Sequence, residues 1–194
     1  SWNTGLAYIN ECHSKCYVAI LDDDDYWLTN HLELCLTHSQ RGAASLVLSG
    51  ISVIKEGHAV ASNIPNNLKQ SDFLVGNPGW QGSNTFAQCQ LLIDAGGFSD
   101  GLVSSNDKDL AIRVLAITNI KIEYTLAVTV CWNLGMHSTA LSARGSRQKL
   151  LGCAQFILLH GHRMTRPQKE QYFERISSLF AISEQAIVNE MNTN

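Results

Sequence analysis

Four aspartates in a row, Asp22 to Asp25, follow the apolar stretch CYVAIL. At a few ångströms each like-charged pair costs about 1 kcal/mol even in water, so such a run beside a buried segment needs a neutralising partner. Hard carboxylate oxygens suit Mg2+, Mn2+ or Ca2+. A calcium loop of the EF-hand type would use Asp22, Asp24 and Glu33 as its first, third and twelfth positions, but it requires glycine at the sixth, where Trp27 stands. Mg2+ and Mn2+ instead take one or two protein carboxylates and complete their shell with water and phosphate oxygens, which points to a diphosphate-bearing substrate. The competing reading is a solvated turn in which Asp caps the next element, a task for which one or two aspartates suffice.

The elements that must hold this run follow from periodicity. SWNTGLAYINECHSK reads as a helix and CYVAIL as a short strand buried on both faces, a helix–strand order that suggests an α/β domain with a parallel sheet. A second helix is expected from the Asn30 cap to Gly42, and ASLVLSGISVIKEGHAV reads as two strands about a KEGH turn. Residues 62–82 are rich in Asn, Pro and Gly and predict an irregular loop at the surface or over a cleft. TFAQCQLLIDAGGF resumes regular structure until Gly96 and Gly97 end it. SSNDKDLAIRVLAI predicts a helix capped by Asn106, with Asp107 in its first turn and Asp109 paired with Arg113 one turn on. IKIEYTLAVTVCW is a further strand, followed by the polar loop NLGMHSTALSARGS. From Arg147 onward the pattern is helical, with Thr165 and Gln168 as a reciprocal cap and Pro167 in the first turn. An apolar stripe there, Tyr172, Phe173, Ile176, Leu179 and Phe180, suits packing on the main domain or on a second copy.

Composition narrows the functions. The 194 residues are 45% hydrophobic, enough for one sizeable core. A net charge of −3 provides no basic field for nucleic acid. No apolar run reaches the roughly 18–20 residues of a membrane span and no signal-peptide order is visible, so a cytoplasmic location is expected, with at most peripheral attachment to the membrane's cytoplasmic face. The six cysteines are scattered through apolar contexts and read as free thiols. Cys12, His13 and Cys16 in ECHSKC lack the second ligand pair of a structural zinc site.

Three stretches together resemble the family 2 glycosyltransferases. SWNTGLAYINECHSKCYVAILDDDDYWLTNHLELCL is similar to the family's helix, buried strand and Asp-x-Asp motif. GGFSDGLVSSNDKDLAIRV resembles its Gly-Gly-Phe-Asp segment and acidic helix start, and CWNLGMHSTALS its His-x-x-Ser-x-Ser loop. The resemblance covers residues 1–146 and implies an A-type (GT-A, Rossmann-like) α/β fold with a mixed sheet and flanking helices, followed by a helical extension over 147–194. It implies an inverting, metal-assisted transfer of sugar from a nucleotide-sugar donor to the hydroxyl of a glycan, lipid or small-molecule acceptor. Mn2+ or Mg2+ would be the cofactor.

Residue by residue, the resemblance places Asp22, Asp23 and Asn3 at the donor and Asp24 and Asp25 at the metal, with the frame of the acidic run open by one residue. His137 falls where the family puts a residue touching diphosphate or metal, with a plain solvent-exposed loop histidine as the alternative. Asp107 matches the catalytic base and Asn106 stands in place of the family's preceding Glu. Trp80, Gln81, Ser83 and Asn84 in GWQGSN combine an aromatic platform with amides and a hydroxyl, as a bound sugar requires, although Trp80 serves loop packing equally well.

The family's first strands and nucleotide-base contacts lie upstream of the acidic motif and have no counterpart here. The expectation is therefore a fragment of a longer protein, weak in donor binding, with an unpaired strand edge. The alternative is a metal- or carbohydrate-binding domain that keeps the fold without turnover. A phosphatase with an aspartyl nucleophile is a further enzyme option, but the following hydroxyl residue and the downstream strand-end lysine that it needs are not apparent. Self-association through the C-terminal helices is also expected.

Overall fold

The computed structural model describes residues 2–13, 15–134 and 144–193. Chain order is α1 (Trp2–Cys12), β1 (Tyr17–Ala19), β2 (Tyr26–Trp27), α2 (His31–Gly42), β3 (Leu46–Lys55), β4 (His58–Asn63), α3 (Asp72–Val75), β5 (Thr85–Gln88), α4 (Cys89–Asp94), α5 (Asn106–Val114), β6 (Ile122–Asn133), α6 (Arg147–His160), α7 (Arg166–Phe180) and α8 (Glu184–Met191). A 3-10 turn at Gly82–Asn84 leads into β5.

The sheet runs β1-β5-β3-β6-β2, and β4 pairs with the second half of β3. Its β3–β6 pair is parallel and the other pairings are antiparallel, so the sheet is mixed, as the resemblance implied, and not the parallel one that the helix–strand order suggested. Central position explains the sequence of β3. Leu46 and Leu48 face the large core under the helices, while Val47 points the other way into a small cluster with Cys35, Ala44 and Phe86. The β3–β4 hairpin turns at Glu56 and Gly57, both with positive φ, as the KEGH signal predicted.

Three local expectations are corrected. Strand β1 is not buried on both faces: it is three half-buried residues at an end of the sheet, paired with β5 alone. Helix α2 runs from the Asn30 cap to Gly42 as expected, but its left-handed C-cap is Ala43 (φ 48°) and not the glycine. Ser105, with φ 68°, precedes α5, so Asn106 is the first helical residue and not its cap.

Helices α6, α7 and α8 share the main core. Phe156, Tyr172, Ile176 and Ile187 join Leu48, Leu92, Leu110 and Ile112 in one continuous cluster. Thr165 and Gln168 cap α7 reciprocally: the Thr165 N–H donates to Gln168 Oε1 at 2.9 Å and the Gln168 N–H to Thr165 Oγ1 at 3.4 Å. All six cysteines are free, with Cys35, Cys89, Cys131 and Cys153 buried. No helix among the described residues is long and apolar enough to cross a membrane.

Candidate active site

The acidic run forms a turn at the end of β1, where the Ile20 N–H still donates to Thr85 O before the chain folds back and the Asp25 N–H reaches Asp22 O at 3.2 Å. Ser83 organises that turn. Its Oγ accepts from the Asp22 N–H at 3.1 Å and donates to Asp25 Oδ2 at 2.6 Å, and its carbonyl accepts from Trp27 Nε1 at 2.7 Å. From the end of β6, the Asn133 N–H donates to Asp25 Oδ1 at 3.0 Å and Asn133 Nδ2 to Asp24 O at 2.5 Å.

Gly82 packs directly on the Asp22 carboxylate. A Cβ there would lie 3.2 Å from Asp22 Oδ2, and the Gly82 amide donates to the carboxylate of Asp107 at the start of α5. Asp22 and Asp107 thus share one wall of a cleft of about 610 Å³. Burial, and after it the charge of Asp22, push the Asp107 carboxyl up to about 7, against the opposing pull of the Gly82 amide. Burial likewise raises Asp22, with the charges of Asp25 and Asp24 adding to it.

Asp22, Asp23, Asp24, Asn3, Asn106 and Asp107 all line this cleft. Asp23 and Asp24 are exposed at its rim. Asn3 is also a strut: its amide exchanges hydrogen bonds with the Phe98 backbone at 2.7 and 2.8 Å and reaches Asp100 Oδ1 at 3.1 Å.

Other expected site residues are corrected by their placement. Asp25 has both oxygens hydrogen-bonded to Ser83 and Asn133 and does not line the cleft, so it braces the turn. Trp80 is 1% exposed, packs edge-on against Phe73, and gives its indole N–H to Thr85 Oγ1 at 2.8 Å, leaving no face for a sugar. Asn84 is fully buried; its Nδ2 donates to Ser49 O and Gly79 O, and its Oδ1 accepts from the Gln81 N–H. Gln81, Ser83 and Asn84 are therefore the scaffold beneath the aspartates. His137 lies outside the described residues.

Sequence reasoning missed Trp2, Phe98 and Trp132, which give the cleft aromatic walls, and Lys149 from α6. Trp132 closes a strand, and strand alternation alone did not say that its ring faces a cleft. Lys149 carries no local signal, because its position depends on how α6 docks.

Among the described residues no three His, Cys, Asp or Glu side chains converge as a ready metal site. The oxygen-only rim of Asp23 and Asp24, next to an uncompensated Asp22, suits Mg2+ or Mn2+ whose remaining ligands come from water and phosphate.

No family model and no curated protein sequence matches the chain. Among solved structures it is similar to S. aureus TarS 1–349 in complex with UDP-GlcNAc (TM-score 0.53, 14% identity, 87% of this chain and 50% of that one). It is also similar to the same protein in complex with UDP (TM-score 0.54, 11% identity, 95% and 52%). The chain spans about half the length of these structures. Likeness at this identity shows the fold alone, a mixed α/β fold of the kind seen in the TarS structures.

Proposed function

We propose that this chain carries the donor and catalytic centre of an inverting, metal-assisted glycosyltransferase of family 2 type that uses a nucleotide-sugar donor. The observation that carries the reading is the convergence of Asp22 and Asp107 on Gly82 within one cleft. The neighbouring TarS structures, one with UDP-GlcNAc and one with UDP, support a nucleotide-sugar ligand.

In this reading Asp107 is the general base. A carboxylate poised near neutrality can take the proton of an acceptor hydroxyl as that oxygen attacks the anomeric carbon, while the nucleoside diphosphate departs from the opposite face. Asp24 and Asp23 would hold Mn2+ or Mg2+, with Asp22 on the donor side. When bound, the ion supplies positive charge for the departing diphosphate. Trp132 and Trp2 take over the sugar-facing role expected of Trp80, and the Gly82 amide keeps Asp107 aimed into the cleft.

The test is thermal melting of the chain with MnCl2 and UDP, separately and together. The pair should raise the melting temperature of the wild type and leave Asp24→Ala unshifted. Equal stabilisation of both proteins rejects the donor site.

A further inference from the structure

Lys149 is the one basic side chain lining the cleft among the described residues, where Asp22, Asp23, Asp24, Asp100 and Asp107 provide the charge. It sits in the first turn of α6, where a cation opposes the helix dipole, and its Nζ lies 4.4 Å from the centre of the Phe180 ring. No carboxylate forms an ion-pair contact with it, with Lys108 or with Arg175 among the described residues. Lys108 lies behind it with Nζ 3.8 Å from the Phe156 ring centre, and the charges of Lys149 and Arg175 both reach Lys108. Burial, and after it the charges of Lys149 and Arg175, push the Lys108 ammonium down to about 7, so Lys149 itself is the cation that an arriving anion would stabilise.

The side of the cleft decides which anion. The charge of Lys149 is felt at Asp107, whereas the charges felt at Asp22 are those of Asp25, Asp24 and Asp23. Geometry sets Lys149 on the side of the base, since its helix packs through Gly152 on Ser104, three residues before Asp107. Its position is built in: Gly152, one turn along α6, meets the Ser104 backbone so closely that a Cβ would lie 2.9 Å from Ser104 N. Gln155 fixes the same loop, accepting from the Val103 N–H at 3.1 Å and donating to Gly101 O at 2.9 Å.

We propose that Lys149 is an acceptor-specificity residue that binds an anionic group, phosphate or carboxylate, carried next to the acceptor hydroxyl. This rests on the assignment of Asp107 to that hydroxyl. A neutral alcohol would leave the ammonium half-buried and unpaired, whereas an anionic one completes it with a charge-assisted hydrogen bond.

The experiment is a ligand-observed NMR titration of the chain, saturated with UDP and Mn2+, using glycerol 3-phosphate, glycerate and glycerol as probes. Wild type should bind at least one of the two anions about tenfold or more tightly than glycerol. Lys149→Gln should lose that preference, Lys149→Arg should keep it, and UDP with Mn2+ should bind all three proteins alike. No preference in the wild type, or a preference that survives in Lys149→Gln, overturns the proposal. A parallel loss of UDP binding in Lys149→Gln also overturns it, because Lys149 then serves the donor diphosphate. If UDP and Mn2+ fail to bind the wild type, the donor reading fails by itself. The anion preference is then measured without nucleotide and still decides the role of Lys149.

Discussion

Asp22 and Asp107 meet across Gly82: a Cβ on the glycine would lie 3.2 Å from the first carboxylate, and its backbone amide draws down the pKa of the second. These residues are far apart in sequence, one after a short edge strand and the other in the first turn of α5. The contact makes one site of two acidic motifs, and it gives Asp107 a pKa of about 7 through burial first and the Asp22 charge second.

Asp107→Asn should therefore lower transfer by about 10²- to 10⁴-fold, the usual contribution of a positioned base, while UDP and Mn2+ still bind. In the wild type, kcat/KM should rise with pH as the carboxyl ionises, at or below about 7 because a bound cation would offset the Asp22 charge. Stability should move the other way. The folded-state pKa lies above the ordinary carboxylate value of 3.8, so the folded protein binds the extra proton and loses stability as pH rises from about 4 to about 7. Denaturation curves across that range should be flatter for Asp107→Asn, and an unchanged slope would contradict the burial of this carboxyl.

Ser83→Ala removes the hydroxyl that accepts from the Asp22 amide and donates to Asp25. Leaving these half-buried groups short of a partner should cost about 1–3 kcal/mol by urea denaturation. Because the aspartates then lose their brace, Mn2+-dependent UDP binding should weaken as well. A loss of stability with full UDP affinity would separate the scaffold from the site.

Gly152→Ala introduces a methyl 2.1 Å from Ser104 Oγ and 2.9 Å from Ser104 N. Overpacking of this kind costs about 1–3 kcal/mol, since backbone must shift to relieve it. Helix α6 should back away and carry Lys149 with it. The expected readout is a lower melting temperature together with a reduced preference for glycerol 3-phosphate over glycerol.

Asp109 is 2% exposed and is shared by Arg113 Nη2 at 2.5 Å, His160 Nε2 at 2.9 Å and Ser99 Oγ at 2.7 Å. The hydrogen bonds from His160, Arg113 and Ser99 outweigh desolvation and hold its carboxyl well below the usual range. Its contribution is accordingly complete above the ordinary carboxylate value of 3.8 and is lost as pH falls below it. Asp109→Ala, which leaves the part-buried Arg113 guanidinium and the buried His160 ring without their acceptor, should cost about 3–5 kcal/mol. The deficit should shrink in acid; a deficit independent of pH would mean that packing, not charge, is what was lost.

Much of this was legible in the sequence because it is local. The β3–β4 hairpin is written in alternation and a turn at Gly57, the reciprocal cap of α7 in Thr165 and Gln168, and the Asp109–Arg113 pair in helical spacing. The clustered aspartates announced an unneutralised charge before any fold was known. Residue types alone also put a sugar platform at Trp80, whose ring the fold buries beside Phe73, and put metal at Asp25, whose oxygens the fold gives to Ser83 and Asn133.

By itself, then, the sequence determined the helices, the central strand and the position of the charge, since periodicity, capping and like-charge repulsion act between near neighbours. Tertiary structure alone decided which carboxylates share a cleft, which aromatics line it and that Lys149 enters it. The reason is physical: those relationships join Asp22, Gly82, Asp107 and Lys149 across long stretches of chain, and only the docking of β5, α5 and α6 around one core brings them within a few ångströms.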